Sequence, residues 1–168
     1  AASDVYKRQE VNEVSRIFQY ENEAGIVYLE PNKQKDRIRS GIHLSQADIR
    51  NLQISECKEA NPSITFRYTA TSNQYGHKTG NRLFIPANVF RKEFSVPPLT
   101  KRTYPIHIDY GYTDTDSIRI QLPEGYVIEG LPKPLDVKSK FGSFHSDIQV
   151  KDKKICIVHR LFMSKGVY

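Results

Sequence analysis

Alternation is the clearest signal along this chain. From Leu52 onward apolar residues recur at every second position, as in Ile64, Phe66 and Tyr68, the pattern of strands that bury one face and show the other to water. The same reading gives strands at Tyr104 to Tyr110, Ser117 to Leu122, Tyr126 to Leu131, Asp147 to Val150 and Lys154 to Phe162, parted at short intervals by Gly, Pro and Asp. Lys151-Asp152-Lys153 fits a tight hairpin tip. Gly76 and the Gly80-Asn81 pair bracket a turn leading into Arg82-Leu83-Phe84-Ile85-Pro86, and Pro97-Pro98 closes the irregular stretch after it. Residues 11–20, VNEVSRIFQY, alternate imperfectly and are expected as one further strand.

Helical spacing interrupts this pattern near the N-terminus. Pro31 suits a first turn, Asn32 to Ser40 are mostly good helix formers, and Gly41 closes the segment. A second helical turn is expected over Ser45 to Asn51, with Ser45 as its cap and Asp48 three residues on. Many short strands and little helix predict a mainly β fold, an antiparallel β-sandwich with one or two short helices near the N-terminus. Two half-apolar sheets must cover each other.

A chain of 168 residues buries roughly 70% of the surface its unfolded form exposes, so a single β-sandwich-type domain over residues 10–168 is expected. Any subdivision falls near 94–103, where Phe94 to Arg102 carries two prolines. There is no internal repeat. Composition excludes a disordered chain, since 38% of residues are hydrophobic and ten Tyr and eight Phe are present. No apolar run approaches the ~20 residues of a membrane-spanning helix, and no signal-like stretch opens the sequence. Ala1 to Gln9, AASDVYKRQ, looks like sequencing-adaptor read-through and is set aside. The chain lacks an initiator Met and stops directly after a strand-like run, so both ends are expected to be truncations.

Charge adds little. The formal net charge is +6, with small basic clusters at Lys33, Lys35, Arg37 and Arg39 and at Lys151, Lys153 and Lys154. Neither cluster is interleaved with the aromatics that single-stranded nucleic acid stacks upon, so they read as solvated faces and no nucleic-acid partner is expected. Cys57 and Cys156 lie in strand-like stretches without metal spacing and read as buried free thiols, a disulfide in an oxidising compartment being the alternative. His43, His77, His107, His145 and His159 show no i, i+4 pairing, and His107 and His159 read as hydrogen-bonded strand residues. Asp114 and Asp116 supply only two carboxylates. They read as turn residues bonded to nearby amides rather than as calcium ligands. Leu122-Pro123-Glu124-Gly125-Tyr126 reads as a strand-to-strand turn, and Tyr104, Tyr110, Tyr112, Tyr126, Phe141 and Phe144 as packing aromatics that would also suit a peptide or carbohydrate groove.

From Asn81 to Tyr168 the chain carries Arg82-Leu83-Phe84-Ile85-Pro86, Tyr112-Thr113-Asp114-Thr115-Asp116-Ser117-Ile118, Leu122-Pro123-Glu124-Gly125-Tyr126 and Leu131-Pro132-Lys133-Pro134. It continues with Ser139-Lys140-Phe141-Gly142-Ser143-Phe144 and ends on Lys165-Gly166-Val167-Tyr168. This stretch resembles the C-terminal β domain of bacterial multidomain proteins with a transglutaminase-like core of the papain-like superfamily. Residues 10–80 resemble, more loosely, the segment that follows that core. The resemblance implies a chain that runs on past Tyr168 into a helical end and an extracytoplasmic setting, periplasmic, cell-surface or secreted. The family's catalytic Cys, His and Asp belong to a core that would precede residue 10, and no position here matches them.

The expected function is therefore that of a non-catalytic accessory domain, without cofactor or metal, that supports a transglutaminase-like protease or amidase core or presents its protein substrate. Its expected partner is that core in the same polypeptide. The alternative is a free-standing extracellular module that binds peptide or glycan at a sheet edge or aromatic face.

Overall fold

A computed structural model of the chain describes residues 8–44, 46–73, 75–90, 103–122 and 124–168. The fold is mainly β, with half of the described residues in strands, antiparallel sheets and two short α-helices near the N-terminus, as the alternation leads one to expect. Two compact units are present, Ala1–Glu93 and Phe94–Tyr168.

In the first unit, β1 (Arg8–Arg16), β2 (Asp48–Cys57) and β3 (Ser63–Thr71) form a sheet in the order β1-β3-β2. The central strand β3 carries the core. Ile64, Phe66, Tyr68 and Ala70 alternate onto one face and are at most 6% exposed. Ile64 and Phe66 each contribute about 1.5–3 kcal/mol on burial. Helix α1 (Phe18–Glu23), a 3₁₀ turn (Ala24–Tyr28) and helix α2 (Pro31–Ser40) share the unit with this sheet, α1 packing on β1 and β3 and α2 on β2. Ile26 of the 3₁₀ turn is 1% exposed. A short hairpin of β4 (His77–Thr79) and β5 (Arg82–Phe84) turns through Gly80, whose φ of +59° suits glycine.

Helix α2 begins on Pro31 and its end caps on Gly41, as expected. Three other expectations for this unit are corrected. The strand expected over residues 11–20 stops at Arg16. Ile17 turns the chain at φ +52°, its N–H donates to the carbonyl of Pro62, and a helix follows at Phe18. The helical turn expected over Ser45 to Asn51 is instead the start of β2 from Asp48, because pairing Ile49 against Ala70 buries it almost completely. The cap expected of Ser45 lies outside the described residues, as do Pro97-Pro98. Arg8 and Gln9 are part of β1, opposite Thr71 and Ala70.

The second unit holds a four-stranded sheet in the order β7-β10-β9-β8, from β7 (Tyr112–Gln121), β8 (Leu135–Ser139), β9 (Gly142–Lys151) and β10 (Lys154–Met163). A two-residue ribbon pairs β6 (His107–Ile108) with β11 (Gly166–Val167). The strand expected from Tyr104 to Tyr110 shrinks to β6, since its partner is only two residues long and Pro105 removes a donor. Tyr126 to Leu131 forms no strand. Gly125 at φ +79° starts that segment, and Val127 is 87% exposed, so nothing there is gained by pairing. Strand β8 was not foreseen, and β9 begins five residues earlier than the alternation at Asp147 suggests.

The hairpin tip between β9 and β10 is the two-residue turn Asp152-Lys153, with φ of +50° and +59°. Two positive φ values define a type I′ turn, which matches strand twist but disfavours a lysine at its second position. Lys153→Gly is expected to raise the unfolding free energy of this unit by about 0.5–1 kcal/mol. Its exposed side chain makes no contact the turn requires, and its carbonyl still accepts from the N–H of Leu122. Urea unfolding would detect the shift, and an unchanged or lower midpoint would refute it.

Candidate functional site

The register of the four-stranded sheet sorts its side chains cleanly. Tyr112, Asp114, Asp116, Ile118 and Ile120 of β7 share one face, opposite Met163, Leu161, His159, Ile157 and Ile155 of β10. On β9 the same face continues through Phe144, Ser146, Ile148 and Val150, and β8 adds Leu135 and Val137 opposite Ser146 and Phe144. The other face is mostly polar, with Thr113, Thr115, Arg119, Arg160, His145 and Asp136 among its members beside an exposed Val158 and Phe162. One face is thus built to be covered.

Coverage along it is uneven. Ile120, Ile155, Ile157 and Ser146 are buried, yet Leu135, Val137 and Val150 remain 48–49% exposed. Leu135 and Val137 stand on β8 at one edge of the sheet and Val150 near the β9–β10 tip, while Asp114 and Asp116 stand on its β7 side. These two aspartates lie in a regular strand, which corrects their reading as turn residues: alternation carries both onto the half-buried face beside His159. Burial, and then the nearby Asp114 carboxylate, push the Tyr112 hydroxyl above its ordinary pKa. His159 faces Phe144 at 5.8 Å between ring centroids.

A second cluster binds the C-terminal ribbon to the β8–β9 tip. Tyr168 packs against Phe141 at 4.7 Å between ring centroids with the rings tilted by 58°, Lys140 Nζ lies 5.1 Å from the Phe141 ring and 5.7 Å from that of Tyr168, and the N–H of Ser164 donates to the Phe141 carbonyl. The backbones of Ile106 and Tyr168 exchange two hydrogen bonds at 2.9 Å. Two of the sequence motifs quoted above, Ser139 to Phe144 and Lys165 to Tyr168, therefore meet in space.

The remaining chemical groups are dispersed. Cys57 and Cys156 are free and lie in strands, but Cys57 is exposed rather than buried because it ends β2 on the side turned away from Ile54 and Glu56. His145 Nδ1 lies 2.7 Å from Asp136 Oδ1 on the polar face. His43 sits after α2, its backbone N–H donating to the carbonyl of Val89. His77 and His107 lie in β4 and β6. Among the described residues no three His, Cys, Asp or Glu side chains gather closely enough to hold a metal ion. No described helix is long and apolar enough to cross a membrane. Of the basic cluster on α2, Arg39 donates to the Ala47 carbonyl and pairs with Asp36, while Arg37 donates to the Asn22 carbonyl. Those arginines hold the helix to its surroundings. In the same unit Tyr20 donates to Glu56 at 2.7 Å and Lys58 pairs with it at 3.1 Å, the tyrosine hydrogen bond holding the Glu56 carboxyl below its ordinary range.

The apolar strip at β8 was missed in the sequence because Leu135 and Val137 follow two prolines, and five residues of alternation were too few to register beside them. The turn Ser139-Lys140-Phe141-Gly142 just after was the available signal.

A family model described as a domain of unknown function with a solved structure, DUF3858, matches residues 81–168. That span runs from the β4–β5 turn to the last described residue and is the span on which the transglutaminase-like resemblance was drawn. Comparison with curated proteins and with solved structures finds no match. With more than half of its length matched, from Asn81 through the whole four-stranded sheet to Tyr168, the chain belongs to the DUF3858 family of domains of unknown function.

Proposed function

We propose that this chain is a non-catalytic accessory domain of a bacterial, extracytoplasmic transglutaminase-like protease or amidase, and that it docks on the core of the same polypeptide to support it or to present substrate. The observation that carries the reading is the pair Leu135 and Val137, each about half exposed on the face that buries Ile120, Ile155 and Ile157. Exposed apolar residues gathered at one place mark a surface for a partner. The resemblance of its motifs to domains that follow such cores supports a transglutaminase-like core as the partner.

Reading the source DNA outward from the codons of Glu10 and Tyr168 tests this directly. An upstream core with Cys, His and Asp in transglutaminase-like arrangement supports the proposal. A start codon or an unrelated domain there overturns it in favour of a free-standing peptide- or glycan-binding module. In the intact protein, L135E/V137E is expected to loosen the domain from its core, seen as faster proteolysis between them with the secondary structure of each retained.

A further inference from the structure

We propose that the outer edge of β8 joins a second copy of the same chain, in a two-fold antiparallel ladder centred on Val137. Strand β8 is the outermost of its sheet, and all five of its residues are exposed. An open edge presents a row of backbone donors and acceptors to any strand that fits it. Its own sequence fits. With Val137 on the axis, Asp136 stands opposite Lys138 of the second copy, Lys138 opposite the second Asp136, and Leu135 opposite Ser139.

Charge complementarity singles out this edge. Opposite charges directly across a ladder are stabilising and like charges destabilising, and the β8 ladder contains two of the former and none of the latter. Asp136 is also pre-positioned, because His145 holds its carboxylate at 2.7 Å on the polar face, where Lys138 of the second copy would arrive. The other edges of the two larger sheets match themselves less well. An antiparallel ladder of β7 about Thr115 sets Asp114 against Asp116, one of β1 about Asn12 sets Arg8 against Arg16, and β2 is broken by an irregularity between Arg50 and Gln53. A symmetric, self-complementary contact is the common route to closed dimers. It would merge two four-stranded sheets into one and bring the two Val137 side chains together on the apolar face.

This inference does not rest on the transglutaminase reading. Asp136 and Lys138 occupy the face opposite the apolar strip, so variants at these positions leave that strip intact and the two proposals fail separately. Sedimentation equilibrium of the full 168-residue chain is the test, with circular dichroism confirming that each variant is folded. A reversible monomer–dimer equilibrium is expected. D136K places like charges across both symmetric positions and is expected to raise the dimer dissociation constant roughly tenfold or more. D136K/K138D restores opposite charges in reversed order and is expected to recover most of the lost affinity, although the contact of Asp136 with His145 stays broken. A chain that remains monomeric, a dimer indifferent to D136K, or a charge swap that fails to rescue it would each overturn the proposal.

Discussion

Gly142→Ala is expected to destabilise the second unit by at least about 3 kcal/mol, a large share of the roughly 5–15 kcal/mol that ordinarily holds a domain folded. Gly142 opens β9 at φ +149°, a conformation side-chain-bearing residues rarely adopt, directly opposite Met163 on β10. A Cβ built there would lie 1.9 Å from the Phe162 carbonyl oxygen and 2.9 Å from its carbon. Both are backbone atoms held in the ladder. The strand must therefore shift or the β8–β9 hairpin must detach, adding overpacking to backbone strain. Gly166→Ala is the control, since its Cβ would meet only the far end of the Tyr168 ring, 2.8 Å away, which can swing aside. Denaturant unfolding of both variants should show a large loss for Gly142 and a loss within about 1 kcal/mol for Gly166. Equal losses would mean that backbone crowding at Gly142 is not what fixes this hairpin.

How far the sequence discloses the fold depends on how each strand is buried. β3 is legible because it is central, with a face of Ile64, Phe66, Tyr68 and Ala70 that must be apolar wherever the neighbours lie. β2 is harder to read. Its inward residues are Ile49 before the irregularity and Leu52, Ile54 and Glu56 after it, a phase change of one residue that no fixed period captures. The structure resolves this with a bulge in which Asn51 and Leu52 together oppose Tyr68 and Asn51 takes φ +53°, a conformation asparagine tolerates better than most residues. The extra residue restores the register that keeps Ile54 against Phe66. β7 misleads in another way, because two aspartates occupy inward positions and make the first half of a strand look like a turn.

The same logic explains the candidate site. Motifs such as Ser139 to Phe144 and Lys165 to Tyr168 stand out as residues, and pairing explains why: a glycine where strands approach closely, and Tyr168 packed against the Phe141 ring. The proposed docking surface is nearly invisible in one dimension. Leu135 and Val137 acquire meaning only when β8 is placed at the end of the order β7-β10-β9-β8, where their face is continuous with a buried core and their edge is open. Edge position follows from topology, and no local pattern of five residues encodes it.

Alkaline titration should unfold the first unit, and Tyr68→Phe should remove a large part of that sensitivity. Tyr68 is 6% exposed in the centre of β3, and burial, reinforced by the Glu13 carboxylate, pushes its hydroxyl far above the ordinary tyrosine pKa. The sign follows from proton counting. Below the unfolded pKa near 10 both states hold the proton and the contribution is fully present. Above it the unfolded chain releases the proton while the folded chain keeps it, so stability falls by about 1.4 kcal/mol for each further pH unit until the folded group also ionises. Tyr75, raised by burial, adds to this loss, so the variant should retain a shallower slope rather than none. Near pH 7 the phenylalanine variant should be within about 1 kcal/mol of the parent, because only a hydroxyl is removed from a ring that stays packed. Chemical unfolding at a series of pH values from 8 to about 12 would measure both slopes. Parallel slopes would show that the Tyr68 hydroxyl is not held neutral by the core, and would move the origin of any alkaline unfolding to other groups.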